Sequence, residues 1–420
     1  METAQKRIYV YADWLGLENP EQMGILSSEL LRGKEIFSFE YDKDWLKNRH
    51  TQLLDPDLGF YSGVQYLRDE KSNFGLFLDS SPDRWGRVLM KRREAILAKT
   101  EGRPVNKLYE SDFLLGVYDM HRMGALRFKL NPKGDFLDNN KGLSAPPWIS
   151  IRELEHASLE LERNLEKDNP ILLKWLNILM APGSSLGGAR PKASVQHTDG
   201  SLWIAKFPSV NDETDMGAWE MVVNELAQKS GINIAMANIK RFNSKHHTFL
   251  TKRFDRTIEG KRIHFSSAMT LLGYTDGADR SAGVSYLEIV EYIIQNAANA
   301  KEDLQELFRR IVFSIAVSNT DDHLRNHGFI LTNKGWILSP AYDINPNPYG
   351  TGLKLNISEE DNSLDFDLAL QVAPYFRLKG EEAKQIIGQI KLVVSDWRQT
   401  ANKYKISSSE QLMMEPAFRY

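Results

Sequence analysis

The segment Asn319–Asn326 brings two carboxylates, two amides, a histidine and an arginine together in one short stretch. Asp321 precedes Asn326 by five residues. Enzymes that transfer a phosphoryl group to a hydroxyl use this interval, with the Asp accepting the hydroxyl proton and the Asn binding magnesium. The segment therefore predicts phosphoryl transfer, with Asp321 as the catalytic base and Asn326 as a metal ligand. We group Arg325, which could neutralise charge on the transferred group, and His323 with the catalytic residues.

This chemistry also needs a second metal-binding carboxylate at the end of a short β-hairpin. Asp343 follows such a predicted hairpin, Gly328–Leu331 and Gly335–Leu338, and we assign it this role. A strand lysine must contact the nucleotide phosphates. Lys206 is an isolated cation inside an apolar strand, and burying it is costly unless an acidic residue pairs with it. Two residues of the predicted helix Trp219–Lys229 qualify; we prefer Glu220, and Glu225 stays open.

A glycine-rich stretch, Gly183–Lys192, precedes the strand that carries the lysine. Glycines let backbone N–H groups approach phosphate oxygens closely, so we assign Ser185, Gly187, Gly188 and Lys192 to nucleotide binding. The stretch lacks the Gly-Lys-Ser/Thr run of a Walker A loop and the G-x-G-x-x-G pattern. It is weak support alone, but together with Lys206 it predicts an ATP site.

The elements that position these residues follow from periodicity. Alternating and aromatic runs predict a β-rich beginning of the chain, and apolar residues at helical spacing predict a buried helix that leads into Asn319–Asn326. Ser285 and Glu288 form a capping box. The predicted strands are Ile8–Ala12, Gly24–Ser27, Ile36–Tyr41, Lys192–Gln196 and Leu202–Phe207, and the predicted helices include Trp85–Leu97, Leu287–Ala297 and Leu304–Val317.

Length and composition limit the class of protein. A chain of 420 residues is too long for one core, and the Gly-, Asn- and Pro-containing stretch Lys133–Pro147 marks a boundary. We predict three segments, 1–147, 148–256 and 257–420. The net charge of −3 gives no overall basic field for binding nucleic acid, and the lack of cysteine excludes disulfides and thiolate ligands. No run of about 18 apolar residues occurs, so we expect a cytoplasmic protein without a membrane span.

Two histidine pairs could indicate zinc binding or histidine catalysis, but both are weaker signals than the one for phosphoryl transfer. His323 and His327 have the interval of a zinc-binding pair, but no adjacent Glu completes a metalloprotease motif. His246 and His247 lie in a polar turn, where we expect them to be exposed to solvent rather than catalytic.

Four stretches together resemble the HipA family of bacterial type II toxin-antitoxin kinases: Ser185–Lys192, Lys252–Arg256, Thr320–Asn326 and Ser339–Asp343. Phe39–Tyr41, Phe74–Phe77 and Ser81–Arg87 look like the amino-terminal module of that family. The resemblance implies an α+β, protein-kinase-like two-lobe fold. An N-terminal α/β module would precede a β-rich small lobe and a helical large lobe.

The resemblance also implies a serine/threonine kinase that uses ATP and Mg²⁺. Lys252 and Phe254 would offer backbone groups to adenine. Ser185 would be autophosphorylated in an inhibitory manner, although the adjacent Ser184 leaves the modified hydroxyl open. Expected partners are a protein substrate such as an aminoacyl-tRNA synthetase and a HipB-like antitoxin, with DNA contacted only through the antitoxin. A corepressor that acts by gripping the antitoxin, and a kinase for a small molecule, are the alternatives.

Overall fold

A computed structural model describes residues 5–47, 52–67, 71–141, 147–163, 176, 179 and 190–420. The chain divides into two compact units. The first comprises Met1–Val210, Arg253–Ser266 and Gly273–Thr275, and the second comprises Asn211–Lys252, Ser267–Leu272 and Asp276–Tyr420. The limits of these units differ from the predicted segment boundaries at 147/148 and 256/257. The division into three segments stays a prediction. Within the described ranges, no helix is both long and apolar enough to cross a membrane.

The first unit begins with an antiparallel five-stranded sheet of order β4-β3-β2-β1-β5. Register places Leu26 opposite both Ile8 and Phe39, and all three side chains are fully buried. Phe77 packs against this face, with its ring 5.6 Å from Phe39. The strands are β1 Lys6–Ala12, β2 Glu21–Leu31, β3 Lys34–Tyr41, β4 Val64–Tyr66 and β5 Leu126–Lys129.

The described part of the first unit also contains five α-helices, and a β-hairpin follows the last of them in sequence. The helices are α1 Lys43–Lys47, α2 Gly75–Leu78, α3 Arg84–Thr100, α4 Glu110–Leu115 and α5 Ile151–Arg163. The hairpin consists of β6 Lys192–Gln196 and β7 Leu202–Lys206, and it pairs Lys192 with Lys206 and Val195 with Trp203. The strands predicted in this unit are confirmed, each within a few residues.

The second unit is mostly helical, with two hairpins. One hairpin is β8 Ala237–Lys240 with β9 Thr248–Lys252, and the other is β11 Gly328–Thr332 with β12 Gly335–Leu338; strand β10, Phe265–Ser267, lies between them in sequence. The helices are α6 Met216–Lys229, α7 Ala268–Leu271, α8 Tyr286–Asn296, α9 Ala300–Ala316, α10 Phe366–Val372, α11 Gly380–Ser395, α12 Trp397–Lys403 and α13 Ser408–Met414.

Helix α9 forms the centre of the second unit. Its apolar residues Leu304, Leu307, Phe308, Ile311, Val312 and Ile315 are fully buried, as their helical spacing predicts. The capping box of Ser285 and Glu288 at the start of α8 is also confirmed. Because α9 is held by its apolar stripe, the loop that leaves its C-terminal end starts from a fixed point.

A buried ion pair in the first unit gives a test of its packing. Lys192 Nζ lies 2.8 Å from Asp83 Oδ2, and both side chains are 3% exposed. Asp83 also accepts the Gly86 N–H at the start of α3. We predict that Lys192→Met lowers the free energy of unfolding by about 3–5 kcal/mol, because it leaves a buried carboxylate without its cation.

The double variant Lys192→Met/Asp83→Asn should recover much of this loss, since Asn removes the charge and keeps an oxygen that can cap α3. Urea unfolding of the wild type, both single variants and the double variant measures the difference. Equal destabilisation of Lys192→Met and the double variant would show that the charge pair is unimportant.

Candidate functional site

The loop after α9 is shaped by Ser318. Its φ of 50° lies in the left-handed region, which turns the chain sharply away from the helix. The Ser318 carbonyl accepts the backbone N–H groups of Thr320 and Asn347. A Cβ built on Gly350 would lie 2.2 Å from Thr320, so only glycine fits there. The loop and the segment near residues 345–350 are therefore packed directly against each other.

Asp321 and Asn326 are tied together within this loop. Asn326 Nδ2 donates to the Asp321 carbonyl at 3.1 Å, and the His323 N–H donates to the same carbonyl. The Asp321 side chain is exposed, whereas Asn326 is buried. Its Oδ1 atom has no hydrogen-bond partner among the described residues. A buried acceptor in this condition is costly unless something binds it, so Asn326 presents an oxygen suited to a cation.

Asp343 lies beside the same loop in a strained conformation. Its φ is 59°, a left-handed value that costs on the order of 1–3 kcal/mol in a non-glycine residue and tends to persist at functional sites. Asn345 Nδ2 donates to Asp343 Oδ1 at 3.3 Å, and the Asn345 N–H donates to Asn319 Oδ1 at 3.2 Å. The Tyr342 hydroxyl donates to the Arg325 carbonyl at 2.6 Å. These hydrogen bonds join the Asp343 segment to the Asn319–Asn326 loop.

The donor set suits magnesium. Asn326 Oδ1 and the Asp343 carboxylate are hard oxygen ligands, and Mg²⁺ is usually held by one or two carboxylates together with the phosphates of a substrate. Over the ranges that the structure covers, no group of three or more His, Asp or Glu side chains is arranged to hold a metal. The residues present therefore fit a metal that arrives with a nucleotide better than a metal caged by protein alone.

The other two residues grouped with the base also lie on this loop. Arg325 Nη1 is 3.7 Å from Asp276 Oδ1, which gives the guanidinium a carboxylate neighbour. His323 is partly buried, and its Nδ1 lacks a hydrogen-bond partner within the described chain. The structure thus brings Asp321, His323, Arg325, Asn326 and Asp343 together in the second unit.

Asp322 is the residue that the sequence analysis missed. Its carboxylate is buried, accepts the Tyr286 hydroxyl at 2.6 Å, and has its Oδ1 3.1 Å from Nε2 of His327. Burial alone would raise the pKa of Asp322, but the interactions with His327 and Tyr286 outweigh it and hold that pKa below its ordinary value. Burial and this carboxylate raise the pKa of Tyr286 well above its usual range. The sequence feature that could have indicated this role is a pair of adjacent Asp residues directly after a buried helix.

In the first unit, the hairpin β6–β7 presents two lysines opposite each other. Cross-strand partners have Cβ atoms about 4.5–5.5 Å apart, and two like charges there repel. The ion pair of Lys192 with Asp83 neutralises one of the two charges, which makes a second lysine at position 206 easier to accommodate. Lys192 therefore has a structural partner besides its predicted role at the nucleotide. Ser184, Ser185, Gly187 and Gly188 lie outside the described residues.

The two candidate partners of Lys206 differ in their surroundings. Glu225 contacts Lys229, Lys403 and the Tyr404 hydroxyl, at 3.0, 2.7 and 2.6 Å. Burial would raise the pKa of Glu225, but these hydrogen bonds outweigh it and lower the pKa to about 2. Glu220 is buried on α6. The choice of Glu220 over Glu225 as the partner of Lys206 stays a prediction.

The stretch assigned to adenine contains a buried charge network. Asp255 is fully buried and accepts hydrogen bonds from Arg253, Arg256 and the Gly124 N–H. Burial favours a raised pKa for Asp255, but the two guanidinium charges outweigh it and lower the pKa. The Lys252 N–H donates to the Met236 carbonyl, so this amide is already used within the second unit. The Phe254 ring packs 6.0 Å from that of Phe265 in the first unit.

The expectation that His246 and His247 are solvent-exposed is wrong. His246 is buried, with Nε2 3.2 Å from the Asp212 carbonyl. His247 Nδ1 lies 2.6 Å from the carboxylate of Asp215, the residue that caps α6. Both rings help to anchor the start of α6, a tertiary role that a polar turn does not reveal.

Comparison with known proteins finds a matching family model and similar sequences. The family model described as "HipA-like C-terminal domain" matches residues 184–397, half of the chain. A Haemophilus influenzae protein named "Putative kinase" is 29% identical over 186 residues, which cover 40% of this chain and 54% of that protein. The "Serine/threonine-protein kinase toxin HipA" of Shewanella oneidensis is 25% identical over 196 residues, or 39% of this chain and 43% of that protein. The chain spans about half the length of the curated relatives it matches.

A solved structure has the same fold over nearly the whole chain. The structure titled "Shewanella oneidensis MR-1 Toxin Antitoxin System HipA, HipB and its operator DNA complex" matches with a TM-score of 0.64 at 19% identity. The match covers 98% of this chain and 94% of the other. The α+β fold of the HipA type predicted from the sequence is confirmed.

The adjacent carboxylates Asp322 and Asp321 provide a matched test. We predict that Asp322→Asn lowers the free energy of unfolding at pH 7 by about 1.5–3 kcal/mol, the usual worth of a hydrogen bond to a charged group. Asp321→Asn, at the exposed neighbouring position, should change it by less than about 0.5 kcal/mol. Because folding lowers the pKa of Asp322, its contribution is present above the unfolded value of about 3.9 and is lost as pH falls through the folded value.

Chemical denaturation at pH 7 and again below about pH 4 measures both effects. The gap between the wild type and Asp322→Asn should narrow at the lower pH. A gap that is unchanged by pH, or an equal loss in Asp321→Asn, would contradict the role assigned to the buried carboxylate.

Proposed function

Since the chain belongs to the HipA-like C-terminal domain family, we propose that it is an ATP- and magnesium-dependent serine/threonine protein kinase. The observation that carries the proposal is the arrangement of Asp321, Asn326 and Asp343. One carboxylate is exposed for a substrate hydroxyl, and two oxygen ligands lie on segments joined by hydrogen bonds. This arrangement has the spacing and the donor types of a phosphoryl-transfer site.

In the proposed mechanism, the residues of the chain position the reactants and handle one proton. Asp321 accepts the proton of the substrate hydroxyl as its oxygen attacks the γ-phosphorus of ATP, and the bond between that phosphorus and ADP breaks. Asn326 and Asp343 would hold Mg²⁺, which supplies positive charge next to the phosphate oxygens. The Asn326 amide, bound to the Asp321 carbonyl, fixes the base relative to the metal ligand.

Cations of the chain complete the charge balance. Lys206 would bind the nucleotide phosphates, with Glu220 as its acidic partner. Arg325, whose Nη1 lies 3.7 Å from Asp276 Oδ1, would move towards the transferred phosphoryl group and neutralise part of its charge. His323 lies between the base and Arg325 in sequence and belongs to the same catalytic group.

The proposal extends to the substrate of the kinase, its regulation and its binding partner. The lack of a long apolar run in the sequence supports a cytoplasmic site of action. The family resemblance supports a protein substrate such as an aminoacyl-tRNA synthetase and a HipB-like antitoxin partner through which DNA is contacted. It also supports inhibitory autophosphorylation on Ser185 or Ser184, with Gly187, Gly188 and Lys192 near the phosphates and Lys252 and Phe254 near adenine. Phosphopeptide mass spectrometry of a host lysate incubated with the protein and ATP tests substrate and autophosphorylation together.

Asp321→Ala should lower the rate of phosphoryl transfer by about 10²–10⁴-fold, the usual worth of general-base catalysis, while ATP binding stays intact. Transfer from γ-labelled ATP and calorimetric ATP affinity are the two measurements. Asp367→Ala, at an exposed carboxylate on α10, is the control and should behave as the wild type. Transfer by Asp321→Ala at more than a tenth of the wild-type rate would remove this residue from the mechanism.

Asp343→Asn should instead weaken the binding of Mg-ATP and raise the Mg²⁺ concentration needed for activity, because it removes a metal-binding charge. Asn tolerates the left-handed backbone conformation at this position, so the fold should survive. Calorimetry with ATP in the presence and absence of Mg²⁺ separates the two contributions. If Asp343→Asn binds Mg-ATP as the wild type does, the second metal ligand lies elsewhere.

A further inference from the structure

Two adjacent residues of the second unit, Phe418 and Arg419, reach both α6 and the end of α9. The Phe418 ring stacks on Trp397 with centroids 4.4 Å apart, and it lies 6.0 Å from the ring of Trp219 on α6. The Arg419 N–H donates to the Ala316 carbonyl at 2.8 Å, and Arg419 Nε donates to Ser318 Oγ at 3.1 Å. We call Phe418 and Arg419 the brace.

The aromatic side of the brace is a buried cluster. Trp219 and Trp397 are almost completely inaccessible, and Phe418 is buried with them. Aromatic pairs of this kind stabilise the fold by more than their buried area alone would predict. Because the rings are closely packed, a change in the position of one ring displaces the next. Trp219 is the immediate neighbour of Glu220, the proposed partner of Lys206. The position of Phe418 therefore bears on the position of Glu220.

The same part of the chain holds α6 at two further points. At its start, the Asp215 N–H donates to the Glu410 carboxylate at 2.9 Å. Towards its end, Glu225 Oε2 accepts from Lys403 and from the Tyr404 hydroxyl. Residues between Trp397 and Arg419 thus contact helix α6 at its start, at Trp219 and towards its end. Among them, the brace also contacts the residues from which the proposed catalytic loop begins.

The polar side of the brace meets the loop at its root. Ser318 is fully buried, has a left-handed φ, and supports both the loop and the segment near Asn347 through its carbonyl. Its hydroxyl is the atom that Arg419 contacts. Asp321 follows three residues later, so a rotation at Ser318 displaces the proposed base.

We propose that Phe418 and Arg419 are positioning residues for phosphoryl transfer. Arg419 fixes the root of the loop that carries Asp321, and Phe418 fixes the helix that carries Glu220. This inference rests on the proposed function, because it assigns both residues to the same reaction. It predicts a division of effects: the Arg419 contact controls kcat, and the Phe418 contact controls the KM for ATP.

The first experiment is a double-mutant cycle on the full chain, with Arg419→Met, Ser318→Ala and the combination. Each single variant should lower kcat by about 2- to 10-fold, the effect expected from one lost hydrogen bond, with the KM for ATP unchanged. The double variant should lose no more than the worse single variant, because both substitutions remove one contact. Lys384→Met is the control: this exposed lysine of α11 pairs with Glu381 at the surface and should retain the wild-type kcat.

The second experiment uses Phe418→Leu, which keeps an apolar side chain and removes the stacked ring. The KM for ATP should rise by about 2- to 10-fold with little change in kcat, and Leu412→Ala, at an exposed position on α13, should leave both unchanged. Circular dichroism and thermal unfolding confirm that each variant is folded. If Arg419→Met does not fold, the kcat of Ser318→Ala alone tests whether the contact between Arg419 and Ser318 affects the reaction.

The outcomes separate the two proposals. A folded wild type that transfers no phosphoryl group from ATP contradicts the proposed function. An active wild type together with a wild-type kcat in Arg419→Met and Ser318→Ala overturns the role of Arg419. Multiplying losses in the double variant, or equal changes in kcat and KM for every brace variant, would indicate a general loss of stability and would overturn the positioning role.

Discussion

A carboxylate buried without partners costs several kcal/mol, and Asp322 avoids this cost through the Tyr286 hydroxyl and His327. This constraint orders the loop around it. Because Asp322 is held inward against α8, the adjacent Asp321 side chain is left exposed to solvent. The Asn326 amide then binds the Asp321 carbonyl, which leaves Asn326 Oδ1 available to a cation. The geometry of the candidate site thus follows from a charge that takes no direct part in the proposed chemistry.

The first unit obeys the same rule. Lys192 and Asp83 form a buried pair, and Asp255 is satisfied by Arg253, Arg256 and a backbone N–H. These residues belong to stretches that carry the resemblance to the HipA family. Some of the residues behind that resemblance therefore satisfy buried charges. They stabilise the fold, and for Lys192 this comes in addition to its proposed role at the nucleotide.

Local features of the fold could be predicted from the sequence, and tertiary partners could not. The apolar stripe of Leu304–Val317 and the turn between β6 and β7 are encoded within a few residues, so the corresponding elements were predicted closely. The interval between Asp321 and Asn326 is local as well. Tyr286, one of the partners of Asp322, is 36 residues away, and the partner of Lys192 is 109 residues away. The contacts of Glu225 with Lys403 and Tyr404 likewise depend on packing alone.

The central claim is that the Asn319–Asn326 loop and Asp343 form a phosphoryl-transfer site that uses Mg-ATP. The most direct measurement is a single-turnover reaction of the purified protein with γ-labelled ATP and Mg²⁺, followed by mass spectrometry of all labelled peptides. The account predicts magnesium-dependent label on serine or threonine, with one ADP formed for each phosphate transferred. ATP that remains unbound and unreacted at saturating Mg²⁺, or label that does not depend on the metal, would contradict it.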